Sequence, residues 1–487
     1  IKAKDSWNEL AALLKIDKSA LIKKIQDNRH LNFIYLKRHL IPEDAQRILK
    51  KKITSVYGLD EFRRYYPVAA ITAQLIGMTN IDDQGQSGLE LMYNGWLAGT
   101  PGKERIVRDL LGHAIDKTEI VKSEKPGNAL YLSIDLRLQY LAYRELMHTV
   151  TQSNASSGTI AMMSPQTGEV LAMVSYPSFN PNNRKDYSSQ AARNRAITDQ
   201  YEPGSTIKAF TVAAALNSGL FTPETTINTA PGWMVVNNYT IKDTHNFGVL
   251  TTQEVLMRSS NIGTSKMAFA MGQKKLVDLL GDFGFGKPTG INFPGEAIGY
   301  VPFEKKLSKA GLSNLSFGYH LSVTPLQMIR AYSGLALGGV LPVASLLKQD
   351  VPQQGVRVIS RENAQQVVDM LKQTVEHGTG KKAQISGYTV AGKTGTSHKA
   401  EGEGYNRKSY YSSFIGMAPA NNPKLVMVVI LNDVKKGSYY GGQIAGPVFS
   451  RLAGTTLRLL GVTPDKMATI KNDLPVNANA NANGTGQ

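Results

Sequence analysis

The sequence of 487 residues contains no cysteine, and this absence excludes several kinds of protein. Without a thiol, the chain cannot be a disulfide scaffold, use a thiolate nucleophile or build a zinc–thiolate site. Its 8 histidines include no pair with the spacing of a metal-binding motif such as H-E-x-x-H. We therefore expect neither a metal nor another cofactor.

Long apolar runs are missing as well. No stretch approaches the ~18 consecutive apolar residues that a membrane-spanning helix needs. The sequence opens on Ile1, and no signal-peptide pattern follows it. We expect that a segment upstream of Ile1, together with any membrane anchor on it, is missing from this sequence.

Acidic residues are outnumbered, since 38 Asp and Glu face 55 Lys and Arg, and the formal net charge is +17. Such an excess is typical of proteins whose neighbours are nucleic acids, acidic polymers or anionic membranes. The basic residues are spread along the chain, however, and the densest run, residues 50–52, is short. We therefore interpret the excess as solvated surface and expect no nucleic-acid binding.

The chain is too long for one ordinary domain, and its length predicts about two to three domains. Residues 1–60 have a charged, helical pattern, and an irregular, glycine-rich segment follows them. A boundary near residues 126–127 gives an N-terminal domain, 1–127, and a main domain, 128–467. The polar and repetitive residues 468–487 are predicted to be a disordered tail.

Two groups of strands flank a long helical region in the main domain. ALYLSID predicts a short strand, LRLQYLAYRELMHTVTQ an amphipathic helix, and GTIAMMSPQTGEVLAMVSYP a β-hairpin. After the helices and loops of 210–380, three more strands are predicted in YTVAGKTGTS, YYSSFIGMAPA and KLVMVVILND. GPVFSRLAGTTLRLLG then predicts a closing helix. This order indicates an α+β fold in which helices cover a sheet.

The segment YEPGSTIKAFTVAAAL, residues 201–216, places a serine and a lysine three positions apart in apolar surroundings. Ser205 follows a Pro-Gly break and is a favoured residue at a helix start. On a helix, residues i and i+3 share a side, so the Ser205 hydroxyl and the Lys208 amine can meet. Burial favours the neutral amine, which is a base beside a nucleophile. A capping serine with a lysine that reaches the surface is the commoner meaning of S-x-x-K alone.

Two further patterns favour the catalytic interpretation. Residues 258–261, RSSN, contain S-x-N, and residues 392–396, GKTGT, contain K-T-G in a predicted strand. The order S-x-x-K, S-x-N, K-T-G is the signature of active-site serine penicillin-binding proteins and of their β-lactamase relatives. On these three motifs the chain resembles that superfamily.

Within the superfamily, the chain resembles the class B penicillin-binding proteins, and among them the septal, penicillin-binding protein 3 type. GEVLAMVSYPSFNPN, SFGYHLSVTPLQM, GKTGTSHKA, FIGMAPA and SYYGGQIAGPVF carry the resemblance, which covers about residues 128–462. GLELMYNGWLAGTPG is similar to the link to an N-terminal pedestal, of which 1–127 would be a part. The resemblance implies a penicillin-binding, serine β-lactamase-like domain whose antiparallel sheet is covered by helices. His320 departs from the family pattern, which has glycine there.

The resemblance implies catalytic roles for Ser205, Lys208, Ser259, Asn261 and Lys393. Ser205 would attack a D-alanyl-D-alanine peptide bond and become an acyl-enzyme, with Lys208 as the base. Ser259 would relay the proton to the leaving amine, because a hydroxyl both donates and accepts. Asn261 would orient the substrate or Lys208, and the charge of Lys393 would hold Lys208 neutral.

The same resemblance implies residues that bind the substrate. Thr394 and Thr396 would bind its carboxylate, and Gly395 would let it approach the strand and pair with it. The backbone N–H groups of Ser205 and Thr396 would form an oxyanion hole. Three aromatic residues would line the pocket wall, although ordinary packing explains them nearly as well: Phe317, Tyr319 and Tyr440.

Two other patterns carry less weight. Residues 281–288, GDFGFGKP, nearly spell a phosphate-binding loop, but Pro288 replaces the required hydroxyl and a helical pattern precedes it. We expect no phosphate site there. The segment EKKLS, which starts at Glu304, faintly resembles the loop that carries the deacylating glutamate of class A β-lactamases. The preferred interpretation is a solvated helix turn.

The expected function is that of a peptidoglycan D,D-transpeptidase that cross-links stem peptides during septal cell-wall synthesis and is acylated by β-lactam antibiotics. Its expected partners are a membrane glycosyltransferase and other division proteins. The expected location is the periplasmic face of the inner membrane, with anchoring by an N-terminal helix. One alternative is a serine β-lactamase or D,D-carboxypeptidase, although a free hydrolase needs no pedestal. Another is a β-lactam sensor, which would need spanning helices and a signalling domain.

Overall fold

A computed structural model of the chain describes residues 4–31, 33–108, 114–401 and 404–466. The tail predicted to be disordered, 468–487, lies outside the described residues. Among the described residues, no helix combines the length and the apolar character that crossing a membrane requires.

The chain divides into two compact units. The first is Ile1–Pro67 with Ile81–Asp83, and the second is Val68–Asn80 with Gln84–Gln487. This division falls at Pro67, whereas the domain boundary predicted from composition lies near residues 126–127 and stays a prediction.

The helices and strands are numbered here in chain order. The α-helices are α1 Lys4–Leu14, α2 Lys18–Asp27, α3 Pro42–Leu49, α4 Ala73–Ile76, α5 Gly88–Met92, α6 Asn94–Leu97, α7 Leu136–Ser153, α8 Ser189–Ala192, α9 Arg195–Thr198, α10 Lys208–Asn217, α11 Thr252–Arg258, α12 Asn261–Met271, α13 Gln273–Asp282, α14 Lys309–Ser316, α15 Pro325–Ala336, α16 Arg361–Glu376 and α17 Gly441–Leu459. The strands are β1 Lys103–Arg108, β2 Ala114–Lys122, β3 Ser157–Met163, β4 Val170–Tyr176, β5 Thr226–Asn228, β6 Trp233–Val236, β7 Tyr239–Lys242, β8 Val249–Thr251, β9 Val340–Leu341, β10 Val356–Arg357, β11 Ala391–Glu401, β12 Gly404–Ala418 and β13 Leu425–Asn432. Short 3-10 turns lie at Ala69–Ile71, Arg184–Asp186, Gly204–Ile207 and Lys381–Ala383.

The first unit contains α1, α2 and α3, which lie within residues 1–60, the region predicted to be helical. Leu10 and Leu14 lie four positions apart on α1 and therefore share one face of the helix. Both pack with Leu21 of α2 and Ile48 of α3 in a small buried cluster. The apolar spacing of the sequence thus accounts for this unit.

A five-stranded sheet forms the centre of the second unit, in the order β11-β12-β13-β3-β4. Every neighbouring pair is antiparallel. The predicted hairpin is β3–β4, and β13 pairs with β3 so that Val429 faces Ile160. Strands from both ends of the domain therefore meet in one sheet, and the predicted antiparallel sheet is confirmed.

Helices cover both faces of this sheet. The alternation of side chains along a strand sends Ile160 and Met162 to one face and Ala161 and Met163 to the other. The first pair lies in a cluster with apolar residues of α7 and α17. The second pair lies in the larger cluster that holds α10, α15 and α16. Because β3 and β13 are buried on both sides, their sequences are almost continuously apolar.

Helix α10 runs through the middle of the larger cluster. The Phe210 ring contacts the rings of Phe283, Phe285 and Tyr332, with centroid distances of 5.0, 5.0 and 5.3 Å. Phe283 and Phe285 belong to the segment that nearly spells a phosphate-binding loop. They follow the end of α13 and are fully buried. Core packing therefore explains that segment.

Two local predictions were wrong. ALYLSID forms only an isolated bridge, between Leu132 and Leu347, because its neighbour is an irregular segment rather than a strand. Glu304 lies in an exposed loop before α14 rather than in a helix turn. Ser308 caps that helix by accepting a hydrogen bond from the Gly311 N–H, so the helix begins at Lys309, directly after EKKLS ends.

Candidate active site

Ser205 lies in the 3-10 turn Gly204–Ile207, and the α-helix itself begins at Lys208. The sequence predicted an α-helix start at the serine. Gly204 has a φ of +54°, which is incompatible with an α-helix, and the Thr206 hydroxyl donates to the Pro203 carbonyl at 2.8 Å. In a 3-10 turn, residues i and i+3 are eclipsed, so Ser205 and Lys208 still share one side.

Other segments hold this serine turn from three sides. The Gly204 N–H donates to the Gly318 carbonyl at 3.1 Å, and the Tyr332 hydroxyl donates to the Thr206 carbonyl at 2.7 Å. The Ser397 hydroxyl of β11 donates to the Glu202 carbonyl, also at 2.7 Å. These bonds use main-chain groups of the turn and of the residues just before it, so they fix its backbone. They leave the Ser205 side chain half-buried at the surface of the turn.

Gly318 explains why the serine turn can be approached so closely. Its φ is +96°, and a Cβ at this position would lie 2.0 Å from the Gly204 carbonyl oxygen. His320, where the resemblance led us to expect glycine, has a φ of +62° and donates its N–H to Glu202 Oε1 at 3.1 Å. The left-handed conformation is the physical reason for a glycine there. His320 also lines a cavity of about 440 Å³ with Glu202 and Lys305.

Lys208 is fully buried, and its amine is held by the S-x-N motif. Nζ lies 2.6 Å from the Ser259 carbonyl oxygen, 2.6 Å from Asn261 Oδ1 and 3.2 Å from Ser259 Oγ. Within the described part of the chain, none of its hydrogen bonds goes to the Ser205 hydroxyl. The motif that follows the serine helix thus orients this amine.

These contacts suit an uncharged Lys208. The Ser259 carbonyl and Asn261 Oδ1 can only accept, so they take the two hydrogens of a neutral amine and leave its lone pair for a proton. Burial lowers the pKa of Lys208 well below its ordinary value, the like charge of Lys393 lowers it further, and Asp243 acts in the opposite direction. The surroundings of Lys208 therefore favour the neutral amine, which is the form that can act as a base.

Ser259 lies between the two buried lysines. It ends α11 in a left-handed conformation, with a φ of +61°, so its side chain does not follow the helix. Its hydroxyl oxygen lies 3.2 Å from Lys208 Nζ and 3.0 Å from Lys393 Nζ. A hydroxyl held by two amines can accept a proton from one side while it donates on the other.

Lys393 of β11 is also fully buried, and it donates to the Thr394 carbonyl at 3.4 Å as well as to Ser259. Burial lowers its pKa to about 7. A lysine with this pKa is partly charged at neutral pH. It can place a positive charge near an anionic substrate, which in turn would favour the charged form.

Asn261 begins α12, and both ends of its side-chain amide are bonded. Nδ2 donates to the Lys242 carbonyl at 2.9 Å, and a carbonyl can only accept, so Oδ1 is the atom that faces Lys208. The Asn261 N–H donates to Asp243 Oδ1 at 2.5 Å. The sequence analysis missed Asp243, because an aspartate after a short strand resembles any turn residue.

The K-T-G motif lies on β11, which pairs with β12 and is an edge strand of the sheet among the described strands. An edge offers unpaired N–H and C=O groups, as the addition of a substrate strand requires. The Thr394 hydroxyl lies 3.1 Å from the Thr379 hydroxyl, and Thr396 Oγ1 accepts from the Gly441 N–H at 3.0 Å. Each hydroxyl keeps further hydrogen-bonding capacity for a ligand.

Gly395 faces the serine turn. A Cβ there would lie 2.3 Å from Ser413 Oγ, 3.0 Å from Thr206 Cγ2 and 3.1 Å from the Pro203 carbonyl oxygen. The lack of a side chain thus lets β11 pack closely against the turn that carries Ser205. This internal contact accounts for Gly395 without the substrate approach that was predicted for it.

The predicted aromatic wall consists of two separate groups. Phe317 is buried, and its ring meets that of Tyr319 edge-on at 5.9 Å. Tyr319 is also hydrogen-bonded to the backbone of His398, and burial raises the pKa of its hydroxyl. Tyr440 is 56% exposed and stacks on Tyr439 at 4.6 Å. Tyr319 therefore contacts the backbone of β11, whereas Tyr440 stacks on Tyr439 at the surface.

The described residues contain no group of three or more His, Asp and Glu side chains that could hold a metal ion. The chemistry available here is that of hydroxyls, amines and backbone groups. The three motifs thus assemble a serine on a tight turn, two buried lysines and a hydroxyl between them.

The chain matches the models of two protein families. Penicillin binding protein transpeptidase domain matches residues 158–454, and Penicillin-binding Protein dimerisation domain matches residues 1–132. The first match begins within β3 and ends within α17, and so includes all three motifs. The second covers α1 to β2.

Curated relatives and solved structures match as well. The probable peptidoglycan D,D-transpeptidase PbpC of Pseudomonas aeruginosa is 42% identical over 465 residues, which are 95% of this chain and 82% of that protein. Peptidoglycan D,D-transpeptidase FtsI of Escherichia coli K12 is 40% identical over 486 residues, 99% of this chain and 82% of that protein. The apo structure of the TP domain from Burkholderia pseudomallei penicillin-binding protein 3 has 38% identity and a TM-score of 0.64, and covers 70% of this chain and 100% of that chain.

These matches confirm the resemblance derived from the motifs and the fold predicted with it. The catalytic signature, the helix-covered antiparallel sheet and the preceding dimerisation domain occur together in one chain. The chain belongs to the class B penicillin-binding proteins.

Proposed function

We propose that this chain is a peptidoglycan D,D-transpeptidase of septal cell-wall synthesis, acting through an acyl-enzyme on Ser205. The observation that carries the proposal is the hydrogen-bonded chain of Lys208, Ser259 and Lys393 beside the serine turn. The names of the similar transpeptidases PbpC and FtsI support the same reaction. The similarity to FtsI and to a penicillin-binding protein 3 domain supports the septal role.

Acylation begins when Ser205 Oγ attacks the carbonyl carbon between two D-alanines. The Oγ–C bond forms and the peptide C–N bond breaks. The Oγ proton passes to the neutral Lys208 amine and, through the Ser259 hydroxyl, to the leaving nitrogen. The terminal D-alanine departs and an ester remains on Ser205. The backbone N–H groups of Ser205 and Thr396 stabilise the oxyanion that forms in between.

The second step reverses these transfers with a different amine. An amine of a neighbouring stem peptide attacks the ester carbon, the new C–N bond forms and the C–Oγ bond breaks. The proton of the incoming amine returns to Ser205 through Ser259 and Lys208. During the first step, before the terminal D-alanine departs, its carboxylate binds beside Lys393, with Thr394 and Thr396 as hydrogen-bond donors.

A β-lactam is attacked in the same way, but its leaving nitrogen stays attached by the opened ring. The exposed Glu304 is a poor candidate for activating water, because it lies in a loop outside the hydrogen-bonded chain. Within the proposed function, partners are a membrane glycosyltransferase and other division proteins, and the site acts at the periplasmic face of the inner membrane.

Intact-mass spectrometry after mixing with benzylpenicillin tests this proposal. We expect one penicilloyl adduct per chain that persists for many minutes, and no adduct on Ser205→Ala. A thioester analogue of D-alanyl-D-alanine, offered with and without a D-amino acid as acceptor, tests the second step. Product in which the acceptor replaces the leaving group supports a transpeptidase. Release of the free acid alone would indicate a carboxypeptidase, and continuous turnover of the β-lactam would indicate a β-lactamase.

A further inference from the structure

Asp243 lies between β7 and β8, outside the three motifs, and its carboxylate meets the start of α12. Oδ1 accepts the Asn261 N–H at 2.5 Å and the Ile262 N–H at 3.2 Å. Oδ2 accepts the Ser260 hydroxyl at 2.5 Å. The first N–H groups of a helix have no partner within the helix, so this carboxylate caps α12 from another segment.

Lys242, the neighbour of Asp243, also holds Asn261 in place. The Lys242 carbonyl accepts from Asn261 Nδ2 at 2.9 Å, while Asp243 accepts from the backbone of the same asparagine. The remaining polar end of that side chain, Oδ1, lies 2.6 Å from Lys208 Nζ. Residues 242 and 243 therefore determine where Asn261 presents an acceptor to the lysine.

We propose that Asp243 is the positioning residue for the catalytic base, since it anchors Asn261 against Lys208 and its negative charge stabilises the protonated amine formed during acylation. The proposal rests on the proposed function for the role of Lys208 as the base. Asp243 touches Ser260, Asn261 and Ile262, and it acts on the reaction through them and through its field.

Two charges act on the Lys208 amine from the elements around it. Lys393 of β11 lowers the pKa of Lys208, and Asp243 raises it. The two effects oppose each other: the first keeps the amine ready to accept a proton, and the second stabilises it once the proton has arrived. Removing the negative charge should lower the pKa of Lys208 further.

Asp243→Asn separates charge from hydrogen bonding. The amide oxygen can keep the two backbone N–H bonds. The amide nitrogen then faces the Ser260 hydroxyl, which can turn to accept, because a hydroxyl serves in both roles. Asp243→Ala removes the bonds together with the charge.

Selective ¹³C labelling of lysine gives a readout that needs no activity. The Lys208 ¹³Cε signal, assigned by its loss in Lys208→Arg, reports the titration of this amine. In Asp243→Asn we expect its midpoint to move to lower pH, together with the acid limb of the rate of acylation by benzylpenicillin. A capping residue with no influence on the base would move neither.

Asp243→Ala should lower the acylation rate constant about 100-fold, which is the scale for a misplaced catalytic group. Asp465→Ala is the matched control, because Asp465 also accepts three bonds: from the Thr389 N–H at 2.7 Å, from the Thr389 hydroxyl and from Asn421 Nδ2 at 2.9 Å. It should lose stability and keep the rate.

An unmoved Lys208 midpoint in Asp243→Asn overturns the proposal, and so does a wild-type acylation rate in Asp243→Ala. If Asp243→Ala fails to fold, the titration of Asp243→Asn decides alone. A wild-type chain that benzylpenicillin does not acylate would contradict the proposed function, while the titration would still show whether Asp243 controls the charge of Lys208.

Discussion

The floor and the rim of the candidate site are built from different interactions. The floor is Lys208, Ser259, Asn261 and Lys393, and both of its lysines are fully buried and hydrogen-bonded. The rim lies on β11, on β12 and in the segment just before α17. It is a stack of rings with successive centroid distances of 4.6, 4.2 and 4.6 Å: His398, Tyr410, Tyr439 and Tyr440. The floor is therefore held by hydrogen bonds between single atoms, whereas the rim is held by contact area between rings.

Because of this difference, we expect the floor and the rim to respond differently to substitution of their side chains. A buried amine has a defined set of partners, and removal of one group leaves others unsatisfied in surroundings of low polarity. When a stacked ring at the surface is removed, water takes its place, and the neighbouring groups lose only part of their contacts. Substitutions in the floor should thus abolish chemistry, and substitutions in the rim should alter binding.

The largest effect is expected from Lys208→Met, which keeps the length of the side chain and removes the base. The acylation rate constant should fall about 1000-fold, within the usual contribution of a general base. Stopped-flow acylation with a chromogenic β-lactam measures it. Lys266→Met on α12 is the control, because this lysine is exposed and donates to the Asn228 carbonyl, at 2.6 Å, outside the candidate site. Equal rates for the two variants would refute Lys208 as the base.

The pH dependence of acylation should show the charge of Lys393. Its pKa of about 7 means that the free enzyme loses this charge as pH rises through 7. The second-order acylation constant should therefore decline at alkaline pH, by up to tenfold per unit. A bound carboxylate raises the pKa of Lys393, so the rate at saturating β-lactam should decline only at higher pH. Coincident alkaline limbs would contradict a contact between Lys393 and the carboxylate.

The same pKa has a consequence for stability. Between about pH 7 and the ordinary lysine value of 10.5, the unfolded chain binds more protons at this residue than the folded chain. The free energy of unfolding should therefore rise with pH through this window. Lys393→Met should flatten the rise, as measured by chemical denaturation at several pH values.

A smaller effect is expected from backbone changes beneath the floor. Gly318→Ala combines a φ of +96° with a Cβ 2.0 Å from the Gly204 carbonyl, so it must displace the serine turn. Gly290→Ala is the matched control, with a φ of +88° and no atom within 4 Å. The control should lose about 1–2 kcal/mol of stability and keep its acylation rate. Gly318→Ala should lose more stability and also acylate more slowly; equal rates would show that the turn tolerates displacement.

The smallest effect is expected at the rim. Tyr440 is 56% exposed and contributes one stacked face, so Tyr440→Ala should weaken β-lactam binding only a few-fold, in line with the ~0.5–1.5 kcal/mol of an aromatic pair. The limiting acylation rate should stay unchanged. Tyr131→Ala, at a 75% exposed tyrosine, is the control. A large fall in the limiting rate would place Tyr440 in the floor.

Much of the fold could be predicted because its signals are local. The hairpin β3–β4, the strands β11 to β13 and the helices α7 and α17 follow from apolar alternation, helical periodicity and turn residues. ALYLSID has a strand-like pattern too, yet Leu132 meets only an irregular segment at Leu347. Strand formation needs a partner, and a local pattern cannot supply one.

The sequence by itself determined which residues could do the chemistry. Two serines and two lysines, in the order of the three motifs, predict a nucleophile and its proton carriers, because these residue types rarely occur together at these spacings for another reason. The family and its antiparallel, helix-covered sheet follow from the same residues.

Only the tertiary structure decided how these groups meet. It buries Lys208 and Lys393 around Ser259, places the serine in a 3-10 turn, assigns Gly395 to the packing of that turn and brings Asp243 to Asn261. The physical reason is that burial, like-charge proximity and helix capping by a distant carboxylate join segments far apart in the chain. The sequence pattern of a single segment does not contain these interactions.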